Sequence, residues 1–442
     1  MIEKNERVYL LSLGCAKNLV DSEMMTGLLQ ARHFIITQEP QEAEVIIVNT
    51  CGFIREAKEE AIASILQLAS YKEIGNCRLL IATGCMVEKF KEEMLKSMPE
   101  IDAVLGTKQY HLITDLIEGS FDEQKPQEGM ALPEDFYKLR RLSTPSYMAY
   151  LKIAEGCDNR CSYCLIPQMR GSLRSRPMEK VLEEAKQLAA SGVRELVVIA
   201  QDTTNYGYDI YGKPMLASLL DKIAALPFIW IRVLYAYPSR ISDEILQVMA
   251  FYKNICHYLD MPMQHADDLM LASMNRQGTR KQITEKIKLI RQYMPDIALR
   301  TTMMVGFPGE KEKQWLAMLD FLRDADFDWV GVFAYSREND TPAADLLGQV
   351  RDSVKESRKE KTMALLADLT SKRQRRHIGN TLLVVTEGQV EGEAGLYYGR
   401  SQYHAPEVDG VVYFRADHAE VGGFLEVKIT DSDVYDLIGE RV

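Results

Sequence analysis

No apolar run in this 442-residue sequence approaches the ~18 residues that a membrane-crossing helix needs, so no membrane association is expected. Positive charge is short: 53 Lys and Arg stand against 64 Asp and Glu, a net charge of −11. That balance argues against direct readout of a nucleic acid, whose phosphates call for cations. Secretion is not expected either. The short apolar stretch Tyr9 to Leu13 follows Glu3-Lys4-Asn5-Glu6-Arg7, a flank without net positive charge, and a cytoplasmic protein is expected. Cysteine is sparse, eight in all. In a long chain not expected to be secreted, those eight point to metal or redox use and not to disulfides.

What is present organises around Glu155-Gly156-Cys157-Asp158-Asn159-Arg160-Cys161-Ser162-Tyr163-Cys164. Three thiols at C-x3-C-x2-C spacing can converge on one small inorganic body. A 4Fe–4S cluster normally takes four thiolates. Three leave one iron open, as a catalytic metal keeps a position for substrate, and an open iron can chelate S-adenosylmethionine and split it into a carbon radical. A zinc knuckle is the competing reading. It wants a fourth ligand, for which Asp158 or the distant His257 are the candidates.

A second set of three comes from the N-terminal part. Short β-branched runs at 7–13, 44–49 and 78–83 alternate with helical patterns at 18–31, 55–70 and 88–97, which predicts a parallel α/β sheet. Each run ends in a cysteine, Gly14-Cys15, Thr50-Cys51 and Gly84-Cys85. Open parallel sheets build their sites at the carboxyl ends of strands, so these thiols are expected to meet in a second cluster. Cys77 and Cys256 read as ordinary thiols.

Pro126, Gly129, Pro133 and many charges mark a linker. Beyond it, strand candidates at 148–153, 195–201, 229–235, 257–261, 298–305 and 329–335 alternate with six helical patterns. Six such units predict a partial (β/α)6 barrel with its chemistry at the C-terminal rim. Gln201 and Gly306 lie on rim loops and are candidate contacts for S-adenosylmethionine. His265 reads as structural, and Arg170, Arg174 and Arg176 as cations facing an anionic cofactor group or as a solvated loop. A charged helix over 352–377 ends in cations that complement its C-terminus. After Gly379, short strands at 381–386, 411–415 and 424–429 predict a small β-barrel of the oligonucleotide-binding kind. The expected domains are 1–120, a linker over 121–145, 146–377 and 378–442. The last holds four Lys/Arg against twelve Asp/Glu, net −8.

In this order the three parts resemble the methylthiotransferase family of radical S-adenosylmethionine enzymes across nearly the whole chain, the terminal barrel being that family's TRAM domain. The strings Ser12-Leu13-Gly14-Cys15-Ala16-Lys17-Asn18, Val20-Asp21-Ser22-Glu23, Gln201-Asp202-Thr203-Thr204 and His404-Ala405-Pro406-Glu407-Val408-Asp409-Gly410 resemble the type that modifies an aspartate of the twelfth small-subunit ribosomal protein. The resemblance implies two 4Fe–4S clusters, an auxiliary one on Cys15, Cys51 and Cys85 and a radical-generating one on Cys157, Cys161 and Cys164. It implies S-adenosylmethionine as cofactor, an electron donor such as flavodoxin, a sulfur source, and 3-methylthioaspartate as product. The alternative is the sister activity on a modified adenosine of transfer RNA. A basic ribosomal protein suits the acidic barrel, with Glu391, Glu393, Asp409 and Glu420 as expected docking charges.

Overall fold

The computed structural model describes residues 6–120 and 136–442, so most of the expected linker falls outside the described residues. The chain divides into two compact bodies. One holds the described part of Met1–Thr144 with Tyr150–Arg160 and Cys164–Arg174, and the other holds Pro145–Ala149, Cys161–Tyr163 and Ser175–Val442.

In the first body, β1 (Arg7–Ser12), β2 (Ile35–Ile36), β3 (Val45–Thr50), β4 (Leu79–Gly84) and β5 (Ala103–Leu105) form a parallel sheet of order β2-β1-β3-β4-β5. Every residue of β3 is buried, as its Val-Ile-Ile-Val run demands of a central parallel strand. Ile46, Val48, Leu80 and Ala82 pack with Ile65 and Leu68 of helix Arg55–Ala69, and Cys77 is an ordinary member of that apolar core.

Helix Ala16–Ala31 is unusual in burying Lys17, Asn18, Asp21, Ser22 and Glu23. Each of the last four is satisfied, Asp21 by Lys152 and Arg170. The Asn18 amide donates to the carbonyls of Leu13 and Thr50, Ser22 meets Ser12 and the Asn49 amide, and Glu23 accepts from Arg140 and Ser143. Arg140 follows the 3-10 turn Phe136–Leu139 and also donates to the Tyr150 carbonyl at 2.7 Å. The described end of the expected linker is therefore stitched down. Removing either partner of Glu23–Arg140 strands a buried charge, at a cost of about 3–5 kcal/mol.

The larger parallel sheet has order β13-β12-β11-β10-β9-β6, from β6 (Met148–Lys152), β9 (Glu195–Ile199), β10 (Trp230–Val233), β11 (Ile255–Asp260), β12 (Ala298–Val305) and β13 (Trp329–Ala334). Strands in unbroken sequence order with helices between them are what a partial β/α barrel requires. A two-stranded sheet pairs β7 (Ala154–Glu155) with β8 (Arg174–Ser175). Helix Asp352–Gln374 follows. Then β14 (Thr381–Gln389), β15 (Leu396–Ser401), β16 (Val412–Arg415), β17 (Phe424–Ser432) and β18 (Leu437–Arg441) close into a barrel.

That barrel is joined to the larger sheet by buried charge. Arg400 reaches Glu195 at 2.7 Å and Glu387 at 2.7 Å, and Arg232 meets the same Glu195 at 3.0 Å. Asp409 accepts from the Tyr258 hydroxyl at 2.6 Å and pairs with Arg300 at 3.3 Å. Asp409 is thus a joint residue and not part of an acidic docking face, whereas Glu391, Glu393 and Glu420 are exposed. The cationic end of helix Asp352–Gln374 is likewise not simply solvated, because Arg373 and Arg376 pair with the buried Asp328.

His377 lies beside Tyr403, ring centroids 5.0 Å apart. Burial first, and then the charges of Arg376 and Arg373, push it down to about 3 from an ordinary 6.5. His404 is held neutral in the same direction, chiefly by burial. Unfolded histidine takes up protons below its ordinary value while the folded state refuses them, so stability falls as pH drops from 6.5 toward 3. For His377 alone the expected loss at pH 5 is about 2 kcal/mol relative to neutral pH. Urea midpoints at pH 7.5 and 5.0 measure it. His377→Phe is expected to flatten the difference, and an unchanged slope in that variant contradicts the assignment.

Candidate metal and cofactor site

The turns after β1, β3 and β4 bring their cysteines together because glycines let the backbones touch. Gly14 has φ +89°, and a Cβ there would sit 2.6 Å from Cys51 Cβ. Gly84 has φ +98°, and its Cβ would meet Asn49 Oδ1 at 2.4 Å and the Thr50 carbonyl at 2.5 Å. Cys85 Sγ lies 3.5 Å from Asn18 Oδ1 and accepts the Nε–H of Arg170 at 3.2 Å.

Burial raises all three thiols, each to a different net effect. Cys15 is held below the ordinary thiol value because Lys17, Arg170 and the Asn18 and Lys17 amides outweigh its burial. Burial wins at Cys51, helped by the charge of Cys15 and only partly offset by the Phe53 amide. Cys85 is pushed up to about 12 by burial despite Arg170. A metal deprotonates a coordinating thiol outright. Three soft donors beside two fixed cations fit an iron–sulfur group.

The second set is presented by the loop that opens at Gly156, φ +72°, where a Cβ would lie 2.0 Å from the Ser172 carbonyl. The Cys157 amide donates to the Gly171 carbonyl at 3.1 Å, and the Ile166 amide to Cys164 Sγ at 3.4 Å. Asp158 is engaged by the Leu173 amide at 3.1 Å, and His257 by Asp296 at 2.7 Å. One atom of each candidate fourth ligand for zinc is thus engaged within the fold. In the second body, Cys161 Sγ faces the Arg276 guanidinium at 3.7 Å, and Arg276 also meets the Tyr163 hydroxyl and stacks on Tyr237. Ser162 is pinned by the Met274, Ser273 and Ala343 backbone, and Tyr163 packs edge-on to Phe307. Among the described residues no three His, Cys, Asp or Glu side chains are already drawn into metal-ligand geometry. Each set is defined by which backbone positions its turns present.

The other expected site residues fare unevenly. Gln201 is half-buried two residues after β9. Gly306, φ +73°, is explained by Lys355, whose Cγ lies 2.3 Å from where a Cβ would be, and its amide donates to Glu310 at 3.0 Å. His265 is fully buried, with Nδ1 accepting from the Asp267 amide and Nε2 at 3.4 Å from Glu310. Arg170 is not part of a solvated loop, and its Nε–H points at Cys85 Sγ. It is buried against Asp21 and Glu155, and Arg176 pairs with Glu184 at 2.6 Å. Arg276 and the partners of Arg170 escape sequence reading. Only the concentration of polar residues on one helix, Asn18-Leu19-Val20-Asp21-Ser22-Glu23, signals that something charged must face it.

Comparison with known proteins agrees with this architecture. Residues 7–106 match uncharacterized protein family UPF0004, residues 151–322 the radical SAM superfamily and residues 378–442 the TRAM domain. In the fold, a radical S-adenosylmethionine methyltransferase, TsrM from Kitasatospora setae, is similar with a TM-score of 0.57 at 16% identity, over 77% of each chain. The cobalamin-dependent S-adenosylmethionine radical enzyme OxsB follows at 0.53 and 13% identity, over 84% of this chain and 56% of that one. Both likenesses concern the fold alone. The sequence relatives include proteins named ribosomal protein uS12 methylthiotransferase RimO. The one from Geobacter sulfurreducens is 47% identical over 100% of both chains, and the one from Clostridioides difficile 46% over 98% of both. With that identity along its whole length, and with a fold that carries the cysteines on matching parts, the chain belongs to the ribosomal protein uS12 methylthiotransferase (RimO) family of radical SAM proteins.

Proposed function

We infer that this chain methylthiolates ribosomal protein uS12, converting an aspartate to 3-methylthioaspartate. The observation that carries the reading is the gathering of three strand-end thiols in one body of a chain that also presents the three-cysteine loop, collinear with relatives bearing that name. Cys157, Cys161 and Cys164 would hold one 4Fe–4S cluster, and Cys15, Cys51 and Cys85 the other. With S-adenosylmethionine bound, the first would supply the radical chemistry that an unactivated C–H bond requires, and the second would offer a site for the incoming sulfur.

The chain's own residues supply position. Gly156 lets the loop close on Ser172, and Arg276 fixes Cys161 and Tyr163 in one orientation. The loop at Gln201 and the turn at Gly306 are assigned to S-adenosylmethionine, the second of these through its neighbours, since its own amide serves Glu310. Orientation of this kind, and exclusion of side reactions, is what a protein adds to such a cofactor. A second S-adenosylmethionine would give the methyl group, with a sulfur source and a flavodoxin-like electron donor as partners. A cytoplasmic setting suits such thiols, and no described helix is long and apolar enough to cross a membrane.

Anaerobically reconstituted protein is expected to carry about eight irons if both sites hold four-iron clusters. Cys15→Ala should lose roughly half of them, still cleave S-adenosylmethionine to deoxyadenosine, and transfer no sulfur. The variant with Cys157, Cys161 and Cys164 all changed to Ala should form no deoxyadenosine. Iron content unchanged in Cys15→Ala would show that the strand-end thiols are plain buried cysteines.

The terminal barrel, net −8 over residues 378–442, repels phosphate and favours a cationic protein surface. Changing the exposed Glu391, Glu393 and Glu420 to Gln should weaken docking of uS12, mostly through the association rate, and added salt should do the same. Offered uS12 or adenosine-modified transfer RNA, the purified protein should mark the former. Methylthio product on the RNA alone would assign the sister activity.

A further inference from the structure

We propose that Arg170 is a positioning residue that sets the reduction potential of the cluster held by Cys15, Cys51 and Cys85, through its hydrogen bond to the Cys85 sulfur. This rests on the reading of those thiols as cluster ligands. Arg170 is 1% exposed and uses its guanidinium on several sides. Nε donates to Cys85 Sγ at 3.2 Å, Nη2 to Asn18 Oδ1, and Nη1 to both Asp21 Oδ2 and Glu155 Oε1 at 2.9 Å. Lys152 contacts the same two carboxylates, Glu155 at 2.8 Å. Two cations and two carboxylates thus alternate in a buried ring, so the guanidinium is held in one orientation with its Nε–H aimed at sulfur.

The consequence for a cluster follows from electrostatics. Reduction adds an electron to the iron–sulfur core, and hydrogen bonds to its sulfurs stabilise the more negative state and raise the potential. Low local dielectric magnifies the effect. Removing the guanidinium acts twice in the same direction. The donor to Cys85 is lost, and Asp21 with Glu155 is left facing Lys152 alone, a surplus negative charge beside the site. Glu155 also immediately precedes Gly156-Cys157, so the same ring fixes the start of the loop that carries the other thiols.

The test uses the full chain with Cys157, Cys161 and Cys164 changed to Ala, so that any iron sits on the strand-end thiols. After anaerobic reconstitution, iron per chain and an EPR-monitored redox titration are compared for this background and for added Arg170→Gln or Arg170→Lys. The background should hold about four irons. Arg170→Gln should keep them but lower the reduced-to-oxidised ratio at fixed potential at least tenfold, a fall of 59 mV for one electron. Arg170→Lys, which keeps the charge, should restore part of it. An unmoved potential with full iron overturns the proposal, as does a Lys variant that restores nothing. Loss of the iron from a folded Gln variant overturns it too, leaving Arg170 a scaffold for assembly. A background chain that binds no iron at all sinks the ligand reading itself and takes this role of Arg170 with it.

Discussion

A charge withdrawn from water must meet its opposite or be stranded at a cost of several kcal/mol, and much of this structure is arranged around that demand. Asp21, Lys152, Glu155 and Arg170 satisfy one another inside the first body. Glu195, Arg232 and Arg400 do so where the terminal barrel meets the larger sheet. Apolar burial supplies the stability of each core, and the charges select which surfaces meet. A helix whose polar face carries Asn18, Asp21 and Glu23 can dock in only one rotation, and that rotation delivers Cys15 to Cys51 and Cys85.

The strings that mark the family look different once placed. Asp202 accepts from the Thr204 hydroxyl and pairs with Arg240, Asp409 joins barrel to sheet, and Asp21 and Glu23 lie in buried ion pairs. None of these needs to touch a substrate to be required. They hold the geometry in which the thiols and the rim act, and a sequence motif that follows function can therefore be built mostly of joints.

Strands are legible in the sequence where burial is complete on both faces. Runs such as Val45-Ile46-Ile47-Val48 admit no other reading, and the thiols that follow are found with them. β2 and β5, of two and three residues, are too short to carry a pattern. β15 and β18 mix Gly and Arg with apolar residues, Arg400 of β15 being drawn into a buried ion pair that no strand pattern announces. The charge ring escapes for a different reason. Asp21 and Arg170 stand 149 residues apart, and no local periodicity encodes a contact between two helices so far apart in sequence. For the same reason Asp409 reads from composition as one more surface acid, although the fold removes it from the surface.

The joint between barrel and sheet also bears on modularity. Its charges are divided between the two parts, Arg400 and Asp409 on one side and Glu195, Arg232 and Arg300 on the other. A chimera grafting residues 378–442 of a relative with another target onto this chain would inherit half of each pair. Transplanting target choice along with the barrel therefore means carrying positions 195, 232 and 300 as part of the graft.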